Sequence, residues 1–150
     1  MNYFAIVWLF CAVLMLETHA ASAQSTSNQG PAAQDAINTL RAQRGRAAIH
    51  VNKALTDLAA AHAKDMAKND FFSHKGSNGS LPHQRAKRAG YRYCTFAENI
   101  SKGNTSVSNA LERWMASGPH RKNLLNARVT EFGLVRSGDV YVLVLGQPGC

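Results

Sequence analysis

The stretch WMASGPHRKNLL, Trp114 to Leu125, places a histidine and two cations between a helical apolar pattern and a second apolar pair. Pro119 suits the first turn of a short helix, which puts His120 at a helix start, where a charged imidazole gains nothing from the helix dipole. That small electrostatic cost favours a chemical role for His120. Two residues from other segments could join it: His74 in FFSHKG and Glu98 in AENIS. Two imidazoles and a carboxylate that converge can hold a divalent metal through neutral ring nitrogens and an oxygen, or an anion once both rings are protonated. His74 and Glu98 are 24 residues apart and His120 lies 22 further on, so this is not a compact ligand motif and only a fold can assemble it.

Taken singly, each residue has a plainer use. His74 can cap a loop after Phe71 and Phe72, while Glu98 and Asn99 can serve backbone groups at a strand end. His62 lies on an apolar helical face and reads as a hydrogen-bonded core histidine; His50 and His83 belong to no motif. Arg121 can orient Glu98 or an anionic ligand, although a solvated arginine is the commoner case. Trp114 reads as core rather than as a ligand platform.

The elements that must position these residues follow from periodicity. Ala36, Ile37 and Leu40 share one helical face up to Arg44, with Gly45 as a stop. Leu55, Leu58, Ala59, His62 and Met66 recur at helical spacing in NKALTDLAAAHAKDMAK. A turn-rich loop follows, in which Pro82 suits the start of a short helix and Gly90 its end. YRYCTFAENIS alternates as a half-buried strand does. Val107, Ala110, Leu111 and Trp114 line one face of a further helix, and VTEFGLVRSGDVYVLVLGQ reads as two strands around a Ser-Gly-Asp turn. The pattern predicts an α+β fold with helices covering a small, mainly antiparallel sheet.

Composition sets the compartment. Residues 1–23 carry an uncharged apolar run from Tyr3 to Leu16 and end in Ala21, Ser22, Ala23, as a secretory signal peptide with cleavage near Ala23 does. A spanning helix wants about 20 apolar residues, and Glu17 and His19 end this run early. Residues 24–32, QSTSNQGPA, are polar and turn-rich and are expected to form a flexible leader before a single domain over 33–150. Export removes Cys11 and leaves an even pair, Cys94 and Cys150, which is expected to be bonded outside the cytosol. All 17 lysines and arginines lie after the signal, so losing Glu17 moves the formal charge from +8 to +9. Such a charge suits an anionic lipid, cell-wall polymer or acidic glycan, or merely confers solubility; no zinc-finger, RNP or helix-turn-helix pattern points to nucleic acid. The Asn-x-Ser/Thr sites at Asn78 and Asn104 matter only in a eukaryotic secretory path.

The order of segments carries more than any single one. INTLRAQRG, LTDLAAAHAKDMAKNDFFSHKGSNG, RAKRAGY, AENIS, WMASGPHRKNLLN and EFGLV together resemble the CAP superfamily, the cysteine-rich secretory, antigen 5 and pathogenesis-related proteins, in its compact bacterial form. The resemblance spans about Ala36 to Gln147 and implies a three-layer α-β-α sandwich with a cleft lined by two histidines and two acidic residues. His74, Glu98 and His120 match three of the four. Ser117 stands where many relatives carry the second glutamate, three residues after the tryptophan, and Glu131 is the candidate to replace it. Ser117, Asn99 and Arg121 are expected at the cleft edge, and His74 and His120 as ligands of a weakly held zinc or similar ion that the fold does not require.

The signal-like segment, the charge and the resemblance together imply a secreted or periplasmic binding protein, expected to be monomeric, for a lipid, a glycan or an anionic envelope component, with no nucleic-acid partner and no anchor after cleavage. A metal-dependent hydrolase using Glu98 as base is the alternative, and a charge-driven surface adhesin a third reading. No Ser-His-Asp or Cys-His set is present to support other hydrolytic chemistry.

Overall fold

The computed structural model describes residues 24–103 and 106–150. The signal-like residues 1–23 and the site at Asn104 lie outside the described residues. In chain order the elements are β1 (Thr26–Asn28), α1 (Gly30–Ala42), β2 (His50–Val51), α2 (Lys53–Lys68), α3 (Pro82–Arg88), β3 (Tyr93–Lys102), α4 (Val107–Ala116), α5 (Gly118–Leu124), β4 (Glu131–Ser137) and β5 (Val140–Pro148). The sheet runs β1-β4-β5-β3, with β2 added in parallel to β4 and every other pairing antiparallel.

Strict alternation in the closing hairpin creates two cores. Tyr141, Leu143 and Leu145, with Phe132 and Leu134, face α1, α4 and α5 through Ile37, Leu111, Trp114 and Leu124. Val140, Val142 and Val144, with Val135, face α2 through Leu55, Leu58, Ala59, Ala63 and Met66. A period of two along β5 therefore feeds both faces, which gives the α-β-α sandwich. Each fully buried Leu or Val contributes about 1.5–3 kcal/mol, so neither core is dispensable.

Two glycines set local geometry. Gly138, at φ +59°, makes the two-residue turn of the hairpin. Gly133 lies under the first turn of α2, where a Cβ would overlap the Leu55–Thr56 backbone. That helix starts at the Asn52 cap, whose side chain accepts from Leu55 N at 3.1 Å.

The leader expected over residues 24–32 is instead part of the fold. β1 pairs with β4 from Thr26↔Ser137 to Asn28↔Val135, Gln29 N donates to Leu134 O at 2.8 Å, and the Thr26 and Ser137 hydroxyls lie 2.9 Å apart. Polar residues suit this position because β1 is an edge strand with solvent beyond it. The first helix likewise begins at Gly30, six residues ahead of the apolar stripe: Pro31 suits its first turn, and Gly30 and Ala33 are small enough to be buried there without extending the stripe. The expected disulfide is present: Cys94 and Cys150, 4.9 Å apart at Cα, tie the start of β3 to the C-terminus across 56 residues.

Candidate functional site

The site grows from the free side of β3, the edge strand opposite β1. Three of its outward carbonyls are covered by side chains from α4 and α5. Asn123 Nδ2 donates to Glu98 O at 3.4 Å, Trp114 Nε1 to Ile100 O at 3.1 Å and Arg113 Nη1 to Lys102 O at 3.1 Å. Asn99, on the α5 face of the strand, donates to His120 O at 3.1 Å and accepts from Asn123 Nδ2 at 2.9 Å. The strand edge and α5 are thereby fixed to one another, and a buried amide that meets its partners serves that purpose well.

Glu98 points to the other face of β3, towards α2, and its side chain is only 3% exposed. Its oxygens bind three elements. His74 Nδ1, in the loop after α2, lies 2.8 Å from Oε1, and Arg85 Nη2, in α3, lies 2.7 Å from Oε2. His62 Nε2, in α2, is 3.8 Å from Oε1. Arg85 also donates through Nη1 to His74 O and Ser80 O, each at 2.9 Å, so one guanidinium clamps both the loop and the carboxylate.

Protonation states follow from these partners. A carboxylate only accepts, so His74 carries its proton on Nδ1 and presents Nε2 outward from a ring that is 46% exposed. His62 is fully buried and gives its Nε2 proton to Ser73 O at 2.9 Å; its Nδ1 has no hydrogen-bond partner. A second proton there would find no acceptor. Burial holds the His62 pKa below its ordinary value, with Arg85 adding to the effect and Glu98 opposing it. His120 is likewise held low, by burial first and then by the neighbouring His74.

His120 stands across the β3 edge from this cluster. It shares a cleft of ≈ 370 Å³ with Phe72, Ile100, Arg113, Trp114 and Ser117. Its helix begins at Gly118, so Pro119 occupies the first turn and His120 the third position.

The structure brings His74, Glu98 and His120 to the two sides of one strand edge, with Ser117 at the rim. It does not bring Glu131 or the Arg121 side chain there. Glu131 lies two strands from β3, opposite Gly146, and accepts from Tyr91 OH at 2.7 Å, a bond that together with burial raises the Tyr91 pKa. Arg121 turns away and donates to Met115 O at 2.8 Å, so Arg85 performs the orienting role considered for it. Asn99 acts from beneath, through the backbone of His120.

His62 is the hydrogen-bonded core histidine that the apolar stripe of α2 indicates, and its nearness to Glu98 is what the sequence does not show. That His62 faces the loop carrying His74 is seen only in the structure, through its bond to Ser73 O. Arg85 escaped the sequence altogether, as one of several cations in HQRAKR.

His120 lines a cleft at the β3 edge, and the His62–His74–Glu98 cluster lies on the other face of that strand. The chain matches the Cysteine-rich secretory protein family (CAP) over residues 34–142 and belongs to that family. It is 28% identical over 145 residues to the uncharacterized protein YkwD of Bacillus subtilis (strain 168), covering 81% of this chain and 56% of that protein. It is 29% identical over 100 residues to the uncharacterized membrane protein YlbC of the same strain, covering 67% and 29%. Among solved structures, an extracellular protein containing an SCP domain from Bacillus anthracis superposes with a TM-score of 0.75 at 27% identity, over 79% of this chain and 40% of that one. An outer surface protein of Borrelia burgdorferi shares the fold at a TM-score of 0.74 and 17% identity, over 84% and 99%. The chain thus spans about half, or less, of the length of both Bacillus subtilis relatives.

Proposed function

We propose that the chain is an exported binding module whose cleft takes a polar cell-envelope component, a glycan in the first instance, and that His74 and His120 can share a divalent ion there. The observation that carries this reading is the commitment of Glu98: both oxygens are bound, one holding His74 so that Nε2 faces outward. A carboxylate that fixes a histidine through its far nitrogen is how metal-binding imidazoles are commonly oriented. The lowered pKa of His120 keeps that ring neutral, the form a metal requires. The donor chemistry therefore fits an open site with few protein ligands. Among the described residues no group of three or more His, Cys, Asp or Glu is arranged around a common point, so the ligand or water would complete the shell. Such an ion, when bound, supplies Lewis-acid polarisation of a coordinated oxygen.

Hydrolysis with Glu98 as base has less support, because neither of its oxygens is disengaged to take a proton from water. Export is supported by the surface and extracellular proteins that share the fold, and no described helix is long and apolar enough to cross a membrane. A lipid reading has its own observation, an apolar groove of ≈ 340 Å³ between α1 and α4 lined by Ala36, Leu40, Leu111 and Met115. Calorimetric titration of zinc into the wild type and into His74→Ala/His120→Ala at pH 7 and pH 5 tests the first reading. Heat at neutral pH that the double variant lacks, and that fades in acid, is expected; equal heats for both proteins overturn the metal. Acyl-chain binding abolished by Leu40→Glu with zinc heats intact identifies the lipid reading.

A further inference from the structure

A second concave surface lies on the opposite side of the α4–α5 turn from the cleft. It is a groove of ≈ 480 Å³ whose walls include Arg46, Gly118, Arg121, Lys122, Asn126 and Arg128. Four cations surround it, and none of them takes part in an ion pair among the described residues. Clustering like charges costs stability unless a ligand offsets it, so a patch of this kind calls for a physical reason.

The groove is also braced from within. Arg41 is fully buried; its Nε donates to Ala47 O at 2.8 Å and its Nη1 to Leu124 O at 2.7 Å and Asn126 O at 3.1 Å. These carbonyls belong to the segment after α1 and to the end of α5, the two segments that form the walls. Arg41 Nη2 has no hydrogen-bond partner, although it is buried. A fifth positive charge therefore lies beneath the floor, and its pKa is lowered by burial first and then by Arg46.

We propose that this groove is a docking site for a linear polyanion of successive phosphates. Three of the four lining cations are arginines, whose planar forks match phosphate oxygens in pairs. Several charges spread along a concave path suit successive phosphates of a chain better than the flat surface of a bilayer. The site is separate from the His74–His120 cleft and does not depend on it, although both use α5: Ser117 and His120 line one side of the turn, Gly118 and Arg121 the other.

The test uses short-chain polyphosphate as probe, with inorganic phosphate and vesicles containing phosphatidylglycerol as the two other arms. Arg46→Ala/Lys122→Ala/Arg128→Ala is compared with Lys64→Ala/Lys68→Ala/Lys87→Ala, which removes the same charge from the α2–α3 layer. Wild type is expected to bind polyphosphate with an affinity that falls steeply with salt, and the groove variant to lose roughly tenfold or more while the control stays within about twofold. Amide shift changes on wild type, at Lys122, Asn126 and Arg128, report the site without any substitution. Equal losses in both variants, shift changes elsewhere, inorganic phosphate binding as tightly as the polymer, or binding to vesicles alone would each overturn the proposal.

Discussion

Replacing Arg85 with methionine probes the Glu98 cluster most directly. The substitution preserves much of the side-chain volume but removes three bonds at once: Nη2 to Glu98, and Nη1 to the carbonyls of His74 and Ser80. Glu98, 3% exposed, would retain only the Nδ1–H of His74 as a close partner. Breaking a buried pair from one side costs about 3–5 kcal/mol, chiefly because a charge is left without compensation. A domain of ordinary stability has about 5–15 kcal/mol in all, so the variant should approach unfolding at modest urea. The contrast is Lys53–Asp57, whose side chains are 87% and 64% exposed and whose loss should be barely measurable. Urea denaturation of the oxidised protein gives the midpoint and the slope. Arg85→Met with Glu98→Gln should recover part of the loss, since the stranded charge is then gone. If Arg85→Met costs less than about 1 kcal/mol at unchanged slope, or Glu98→Gln restores nothing, the carboxylate is not stabilised as described.

Gly133→Ala forces a Cβ into the Leu55–Thr56 backbone and should cost at least about 2–3 kcal/mol, seen as a reduced urea midpoint; near-wild-type behaviour would mean α2 lifts from the sheet without penalty. Cys94→Ser/Cys150→Ser opens a loop of 56 residues and should lower stability by about 4 kcal/mol in the chain-entropy account, measured against the oxidised protein. His62 gives a pH dependence. Its folded pKa lies below the unfolded value of about 6.5, so its contribution is complete above that value and is lost as pH falls through the folded pKa. His62→Gln should flatten the decline in urea midpoint between pH 7 and pH 5, and an identical decline in the variant would assign the acid sensitivity elsewhere.

The sequence made the layers legible because apolar periodicity is dense where both cores form: Leu55 to Met66 in α2, Val140 to Leu145 in β5. It made the first strand illegible because Thr26, Ser27 and Asn28 pair through backbone with one polar edge and carry no apolar alternation. Spatial partners divided along the same line. His74, Glu98 and His120 stood out through the segments around them, whereas Arg85 enters only because α3 folds back over the loop at residues 74–80, a contact of backbone carbonyls that no side-chain pattern encodes. Glu131 illustrates the converse error. It has the right charge and the right face of the sheet, but two intervening strand spacings separate it from Glu98, and Tyr91 takes its oxygen instead.

The edge of β3 explains why the cleft lies where it does, and yields one further prediction. An edge strand exposes polar groups that invite pairing with another chain. Here the carbonyls of Glu98, Ile100 and Lys102 are covered by Asn123, Trp114 and Arg113, so the bonds that protect the edge also set the distance between the two walls of the cleft. Trp114 is the central bond and is almost fully buried. Trp114→Phe keeps an aromatic ring in the core but leaves Ile100 O without its donor, at a cost of about 1–3 kcal/mol. If α4 and α5 are held by this bond, His120 should become more solvated in the variant and its pKa should move up towards the ordinary histidine value, since burial is the main cause of its depression. Titration of the His120 ring by NMR, with zinc heats measured alongside, separates the two effects. A variant that loses stability while the His120 pKa and the zinc heat stay fixed would show that the edge bond supports the core alone and does not position the site.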